Sequence, residues 1–199
     1  MNYQDKVREF QIASGQPVSD EPRELTREEA DFRDSLLREE IRELQYAVVD
    51  NNRVEILDAL CDIKYVNDGT ANMMGIRQED EWQETYYSAS GCIDTAIEVL
   101  KSADVSKVKF INEHVYFLAS MFVFPLENFK TALDRVHESN MSKFCLDTKT
   151  AERTQEFYKN QGIDTYIEPR NKMTVVYRKD DGKVLKNIEY HPVILEDIV

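Results

Sequence analysis

Two short acidic clusters carry the chemistry in this sequence. Glu40 and Glu43 stand three apart in LLREEIREL, residues 36–44, and Glu55, Asp58 and Asp62 follow in EILDALCDIKYV, residues 55–66. On a helix turning about 100° per residue, Glu40 and Glu43 lie about 60° apart and one turn from each other. Glu55, Asp58 and Asp62 fall within about 60° of one another by the same arithmetic. Carboxylates so concentrated raise one another's pKa unless something neutralises them, and a hard divalent cation does so. Mg2+ takes carboxylate oxygens, keeps several waters and is commonly completed by substrate phosphates. The competing reading is a pair of solvated acidic faces in a chain with 38 Asp and Glu. Against it, both clusters border apolar stripes.

Those stripes define the elements that must position the acids. Thr26-x-x-Glu29 is a capping-box pattern, and it opens a long helix to about Val49 with Leu37, Ile41, Leu44 and Val48 along one side. Asp50, Asn51 and Asn52 make a tight polar turn, and a second helix follows over residues 53–74 with Ile56, Leu60, Ile63 and Val66 facing the core. So short a connection makes the two helices antiparallel neighbours, with four or five carboxylates at the edge of their seam. Gly75 closes the second helix.

Further helices are predicted over residues 3–14, 79–101, 106–122, 126–138 and 150–161. After Gly162 the pattern changes. MTVVY at residues 173–177 reads as a strand, Asp180, Asp181 and Gly182 as a turn, and residues 183–188 as the partner strand. The expected architecture is mainly α, an antiparallel helical bundle with a small C-terminal β-hairpin. Residues 1–162 form the helical domain and residues 163–199 an extension packed on it.

Composition bounds the partners. The 199 residues carry 25 Lys and Arg against 38 Asp and Glu, a formal charge of −13, which argues against nucleic acid and anionic membrane. No stretch approaches a membrane span, and the start lacks a secretory signal. Cys61, Cys92 and Cys145 are widely spaced with no CxxC, and His114, His137 and His191 are scattered. Reduced thiols in a cytoplasm are expected, with oxygen ligands for any metal. GxxxxGK[ST] and DxDxDG are both absent, which excludes P-loop and EF-hand chemistry.

Four strings then resemble one family. Glu40-x-x-Glu43 followed by Glu55-x-x-Asp58 resembles the ExxE…ExxD signature of the all-α nucleoside triphosphate pyrophosphohydrolases, the MazG-like superfamily that includes phosphoribosyl-ATP pyrophosphohydrolase. DALCDIKYVNDGTA at residues 58–71 resembles the DALxDxxYVxxGTA segment of its phosphoribosyl-ATP-pyrophosphohydrolase-like members, many of them phage-encoded. VHESNMSK at residues 136–143 resembles the subgroup's EVHxSNMSK, and DGKVLK at residues 181–186, with Tyr190 and Pro192, its GKxxK…YxP element. Residues 78–130 exceed what compact members need and read as a helical insertion.

The resemblance implies a fold of the all-α NTP pyrophosphatase type. It also implies that Glu40, Glu43, Glu55, Asp58 and Asp62 hold Mg2+ or Mn2+, with either Asp58 or Asp62 as the stronger ligand of the second helix. Water would attack the α-phosphorus of a nucleoside triphosphate, releasing pyrophosphate and a monophosphate, with Glu39 as general base. Tyr65, Asn140, Ser142, Lys143, Lys183 and Lys186 are the expected substrate contacts. On a strand, Lys183 and Lys186 would point to opposite faces. Family resemblance and the apolar Leu57, Met73 and Met74 together suggest a homo-oligomer, a dimer or tetramer, unless the inserted helices supply the missing faces in cis as a pseudo-symmetric single chain. A non-catalytic acidic helical protein, such as a nucleic-acid mimic, is the rival reading.

Overall fold

The computed structural model describes residues 2–78, 92–170 and 173–199. Among them are seven helices, α1 Tyr3–Ala13, α2 Arg27–Val49, α3 Arg53–Met73, α4 Ile93–Lys101, α5 Val108–Met121, α6 Leu126–Met141 and α7 Thr148–Lys159. Two strands follow, β1 Thr165–Arg170 and β2 Met173–Arg178. Helix takes 58% of the described residues, so the chain is mainly α with a small antiparallel hairpin near its C-terminus. The part of the expected 79–101 helix before Cys92 lies outside the described residues. Two compact units are distinguished. One comprises Met1–Arg8, Val18–Val136 and Ile194–Val199, and the other Glu9–Pro17 and His137–Val193.

In the first unit, α2 starts on the expected capping box. The Thr26 hydroxyl accepts from the Glu29 amide at 3.2 Å, and the Glu29 carboxylate accepts from the Thr26 amide at 2.9 Å. Arg23 grips the same carboxylate with two bonds of 2.8 Å and, with the Thr26 amide, holds its pKa down at about 2. Asn51, at φ 51, turns the chain, and the Asn52 side chain caps α3 by accepting from the Glu55 amide at 3.3 Å. The start of α2 meets the end of α3 through Arg33 and Thr70, as antiparallel packing requires. Gly75, at φ 66, sits where a Cβ would lie 2.2 Å from the Glu21 carbonyl oxygen, because residues 19–23 bond back onto the end of α3.

The two helices differ in character. Helix α2 buries one stripe, Arg33, Leu37, Ile41, Leu44 and Ala47, whereas α3 is buried on most of its circumference. Val48 and Val66, expected in the stripes, are half-buried, and Ala47 takes the core place beside Leu44. Leu57, Met73 and Met74 are buried within the single chain, so they leave no apolar surface for a second copy. The expected homo-oligomer loses that support. Helix α5 packs directly on α3, and Met74 clusters with Val108 at the start of α5.

A polar network runs through this interior. The fully buried Lys64 ammonium donates to Asp68 and Asn112 at 2.9 Å each and lies over the rings of Tyr3 and Tyr116, 5.6 and 5.4 Å from their centroids. Gln78 donates to the other Asp68 oxygen at 2.8 Å, and its amide donates to the Gln4 side chain at 3.0 Å.

In the second unit, β1 pairs antiparallel with β2, from Thr165 opposite Arg178 to Arg170 opposite Met173. This corrects the expected pairing. Residues 173–177 do form a strand and a turn does follow, but residues 183–188 are not the partner strand. They return to β2 through the isolated Tyr177–Val184 bridge, with bonds from the Arg178 amide to the Lys183 carbonyl and from the Leu185 amide to the Val176 carbonyl. The cause lies at Asn187, whose side chain donates to the Ser142 and Phe144 carbonyls at 2.8 and 2.7 Å and draws the chain off the sheet. The strand over residues 165–170 was not expected, since its Pro169 donates nothing to a ladder and is tolerated only at an edge.

Removing one partner of a buried pair leaves the other charge uncompensated. Asp68→Ala is expected to cost about 3–5 kcal/mol in urea unfolding, and the apolar double change Lys64→Met with Asp68→Leu to recover most of it.

Candidate functional site

The acids sit where helix geometry put them, on the rims of a seam whose floor is apolar. On α2, Glu39 and Glu40 are half-buried and Glu43 is exposed, while Leu37, Ile41 and Leu44 beneath them are sealed. On α3, Asp58 and Asp62 are half-buried beside the buried Ala59, and Glu55 is exposed in the first turn. An acid in that turn also complements the helix dipole, so Glu55 has a local reason to be there.

Asp58 and Asp62 flank Cys61, and their negative charge adds to burial in pushing that thiol well up. The Tyr3 phenol is pushed well up as well, mainly by burial, with Cys61, Tyr65, Asp68 and Asp62 adding to it. The negative field of the α3 acids therefore reaches into the core. Tyr65 is buried, and its ring meets Tyr3 edge-on at 6.2 Å.

Chemically, this donor set suits a hard divalent cation, since every expected ligand is a carboxylate and no soft donor competes at the rim. Among the described residues, no three His, Cys, Asp or Glu side chains converge closely enough to hold an ion. Like charges keep apart unless a cation offsets them, and Glu side chains have the torsional freedom to close that gap.

The remaining expected residues belong to the second unit. Asn140 is buried in the last turn of α6, one residue before the helix ends, and accepts from the Lys143 ammonium at 2.5 Å. The Ser142 hydroxyl donates to the Ser139 carbonyl at 2.7 Å and accepts from the His191 amide at 3.0 Å. It is thus committed to the chain itself. Ser139 adds a bond of 2.8 Å to the Tyr190 hydroxyl and donates to the His191 carbonyl at 2.9 Å. Two separately noticed motifs, residues 139–143 and 190–192, are one interlocked structure.

Lys183 is exposed at the turn. Lys186 is exposed too, with its ammonium 4.5 Å from the centroid of the Tyr190 ring. Neither lies on a strand, so the opposite-faces argument does not apply. His137 is buried, with its Nε2 3.9 Å from a Glu9 oxygen, which agrees with a structural place.

Two residues escaped sequence reasoning. Asn187 is the clasp between the motifs, and nothing in its neighbourhood marks it. Arg33 lies seven residues before Glu40, hence only about 20° from it around the helix, and that spacing was a usable signal.

Comparison with known proteins follows the same lines. The family model described as phosphoribosyl-ATP pyrophosphohydrolase matches residues 7–87, the stretch that holds all the seam acids. The chain is 30% identical over 191 residues to "Uncharacterized protein L479" of Acanthamoeba polyphaga mimivirus, with 76% of each protein covered. No solved structure matches. The chain belongs to the phosphoribosyl-ATP pyrophosphohydrolase family, within the MazG-like all-α superfamily. That family is one of pyrophosphohydrolases, hydrolases acting on phosphoric anhydrides. No helix among the described residues is long and apolar enough to cross a membrane.

The clasp is testable. Asn187→Ala would leave two carbonyls short of a donor, and it is expected to destabilise the chain by about 2–3 kcal/mol in thermal or urea unfolding.

Proposed function

We propose that this protein is a divalent-cation-dependent nucleoside triphosphate pyrophosphohydrolase, cleaving between the α- and β-phosphates of a (deoxy)nucleoside triphosphate. One observation carries the reading. Within the family-matched stretch, carboxylates from two antiparallel helices line both rims of one apolar seam and remain open to solvent. A charge mimic has no need to set acids against a sealed core, and its acids would spread over an outer face.

Glu40 and Glu43 from α2, with Asp58, Asp62 and Glu55 from α3, would hold Mg2+ or Mn2+. Bound there, the cation supplies Lewis-acid polarisation and charge neutralisation to the phosphate oxygens. Glu39, half-buried one residue from Glu40, would accept the proton of the attacking water. The apolar floor of Leu37, Ile41 and Leu44 limits water beneath the site and strengthens each charge interaction above it. Asp58 and Asp62 are equally half-buried, so both are assigned as ligands. The free thiols of Cys61, Cys92 and Cys145 suit the reducing cytoplasm proposed for it.

A second proposal concerns the other unit taken by itself. The Lys143 ammonium, tethered by the Asn140 side chain at a helix end, offers a flexible cation to a phosphate oxygen. Ser142 supports that turn through its bonds to the Ser139 carbonyl and the His191 amide.

Pyrophosphate release from a panel of nucleoside triphosphates tests the reading. Activity is expected with Mg2+ or Mn2+ and none in a chelator. Glu40→Gln and Glu43→Gln should each lose at least ~100-fold in rate while keeping wild-type circular dichroism. Full turnover in excess chelator would end the proposal. Separately, Lys143→Ala is expected to raise KM or lower kcat at least ~10-fold without unfolding. Wild-type kinetics would leave Lys143 a structural turn residue.

A further inference from the structure

The stripe that presents Glu40 to the seam also carries a cation. Arg33 lies two helical turns before Glu40, about 20° around the axis and about 10 Å along it. Only 4% of it is exposed. Its Nε donates to the Thr70 hydroxyl at 3.0 Å and its Nη2 to the Val66 carbonyl. Val66 and Thr70 are one and two turns beyond Asp62 on α3, so the guanidinium occupies the far end of the acid-lined seam.

A guanidinium carries five N–H donors, and these two bonds use two of them. No other acceptor is present for Arg33 among the described residues, and no carboxylate pairs with it. Burial pushes its pKa down to about 10, and no carboxylate among the described residues offsets that shift.

A purely structural role does not account for the charge. A neutral amide at this position would serve the Thr70 hydroxyl and the Val66 carbonyl without burying a cation, and an uncompensated buried charge is costly. The missing element is an anion. The seam already has the opposite requirement, since its carboxylates call for a cation at the other end. A polyphosphate meets both demands, with metal-bridged oxygens among the acids and a further phosphate at the guanidinium, whose planar fork suits bidentate phosphate binding. The separation of about 10 Å along α2 is on the scale of a triphosphate with its contacts at either end.

We infer that Arg33 is a phosphate-binding residue of this site, receiving the β- or γ-phosphate that leaves as pyrophosphate through the free Nη1 edge of its guanidinium. This rests on the pyrophosphohydrolase reading and adds to it the orientation of the substrate, with the leaving phosphates towards the start of α2 and the nucleoside towards its end. Arg33 thereby distinguishes a triphosphate from a monophosphate, because only the longer ligand reaches both ends of the seam.

Inorganic pyrophosphate is the probe, titrated calorimetrically with Mg2+ into the full chain. Arg33→Gln, which keeps both structural bonds possible, is expected to weaken pyrophosphate binding at least ~10-fold and to raise KM for a nucleoside triphosphate by a similar factor. Its kcat should change less than ~3-fold. Arg33→Lys should fall between wild type and Arg33→Gln.

A second measurement needs no variant and so survives any folding defect. In arginine-labelled wild-type protein, the Arg33 side-chain NMR signals should shift on saturation with pyrophosphate. A folded Arg33→Gln that binds pyrophosphate as wild type does, or Arg33 signals unmoved at saturation, overturns the inference while leaving a working hydrolase intact. A wild-type chain that neither binds pyrophosphate nor hydrolyses a nucleoside triphosphate overturns both readings together.

Discussion

The buried Lys64 ammonium sets the terms on which the helical unit can exist. A charge with no access to solvent is tolerated only if its donors are all taken and an opposite charge lies against it. Asp68 one turn along α3, Asn112 on α5 and the rings of Tyr3 and Tyr116 meet that demand from three helices. Asp68 in turn needs Gln78, which is fixed by Gln4 of α1. The arrangement of α1, α3, α5 and the segment after Gly75 therefore follows from one lysine. It also explains why α3 is sealed on most of its circumference where a simple hairpin helix would keep one wet side.

With that side of α3 committed to charge neutralisation in the core, its remaining acids have a different duty. Glu55, Asp58 and Asp62 keep contact with water on α3, and Glu40 and Glu43 do so on α2. The same helix thus carries two kinds of carboxylate. Asp68 is buried and paired inside the protein, whereas the other acids are half-buried or exposed. The contrast in burial supports a functional reading for the rim. Arg33 shows the inverse case, a buried cation with structural bonds but no counter-charge among the described residues.

The second unit shows how family motifs divide between structure and chemistry. Ser139, Ser142 and Asn187 spend their polar atoms on Tyr190, His191 and the carbonyls of residues 142 and 144. Their side chains hold the segment in shape. What the shape presents is Lys143 at the end of α6 and Lys186 against Tyr190. In the string SNMSK, Ser139 and Ser142 therefore serve as scaffold beside a half-buried Lys143.

By itself the amino-acid sequence determined the local elements and the acids. The capping box at Thr26, the polar turn at residues 50–52 and the stop at Gly75 are short-range signals, set by backbone groups that need partners within a turn, and the structure has α2 and α3 where those signals lie. The placement of Glu40, Glu43, Asp58 and Asp62 on the rims follows from helical periodicity alone. Three things needed tertiary structure, because long-range partners decide them. Leu57, Met73 and Met74 look like exposed apolar surface, and only packing within the chain buries them. Residues 183–188 look like a strand until Asn187 finds carbonyls more than forty positions earlier in the chain. Arg33 reads as one more surface charge on an amphipathic helix, and only its contact with Val66 and Thr70 of the neighbouring helix removes it from water and makes its charge informative.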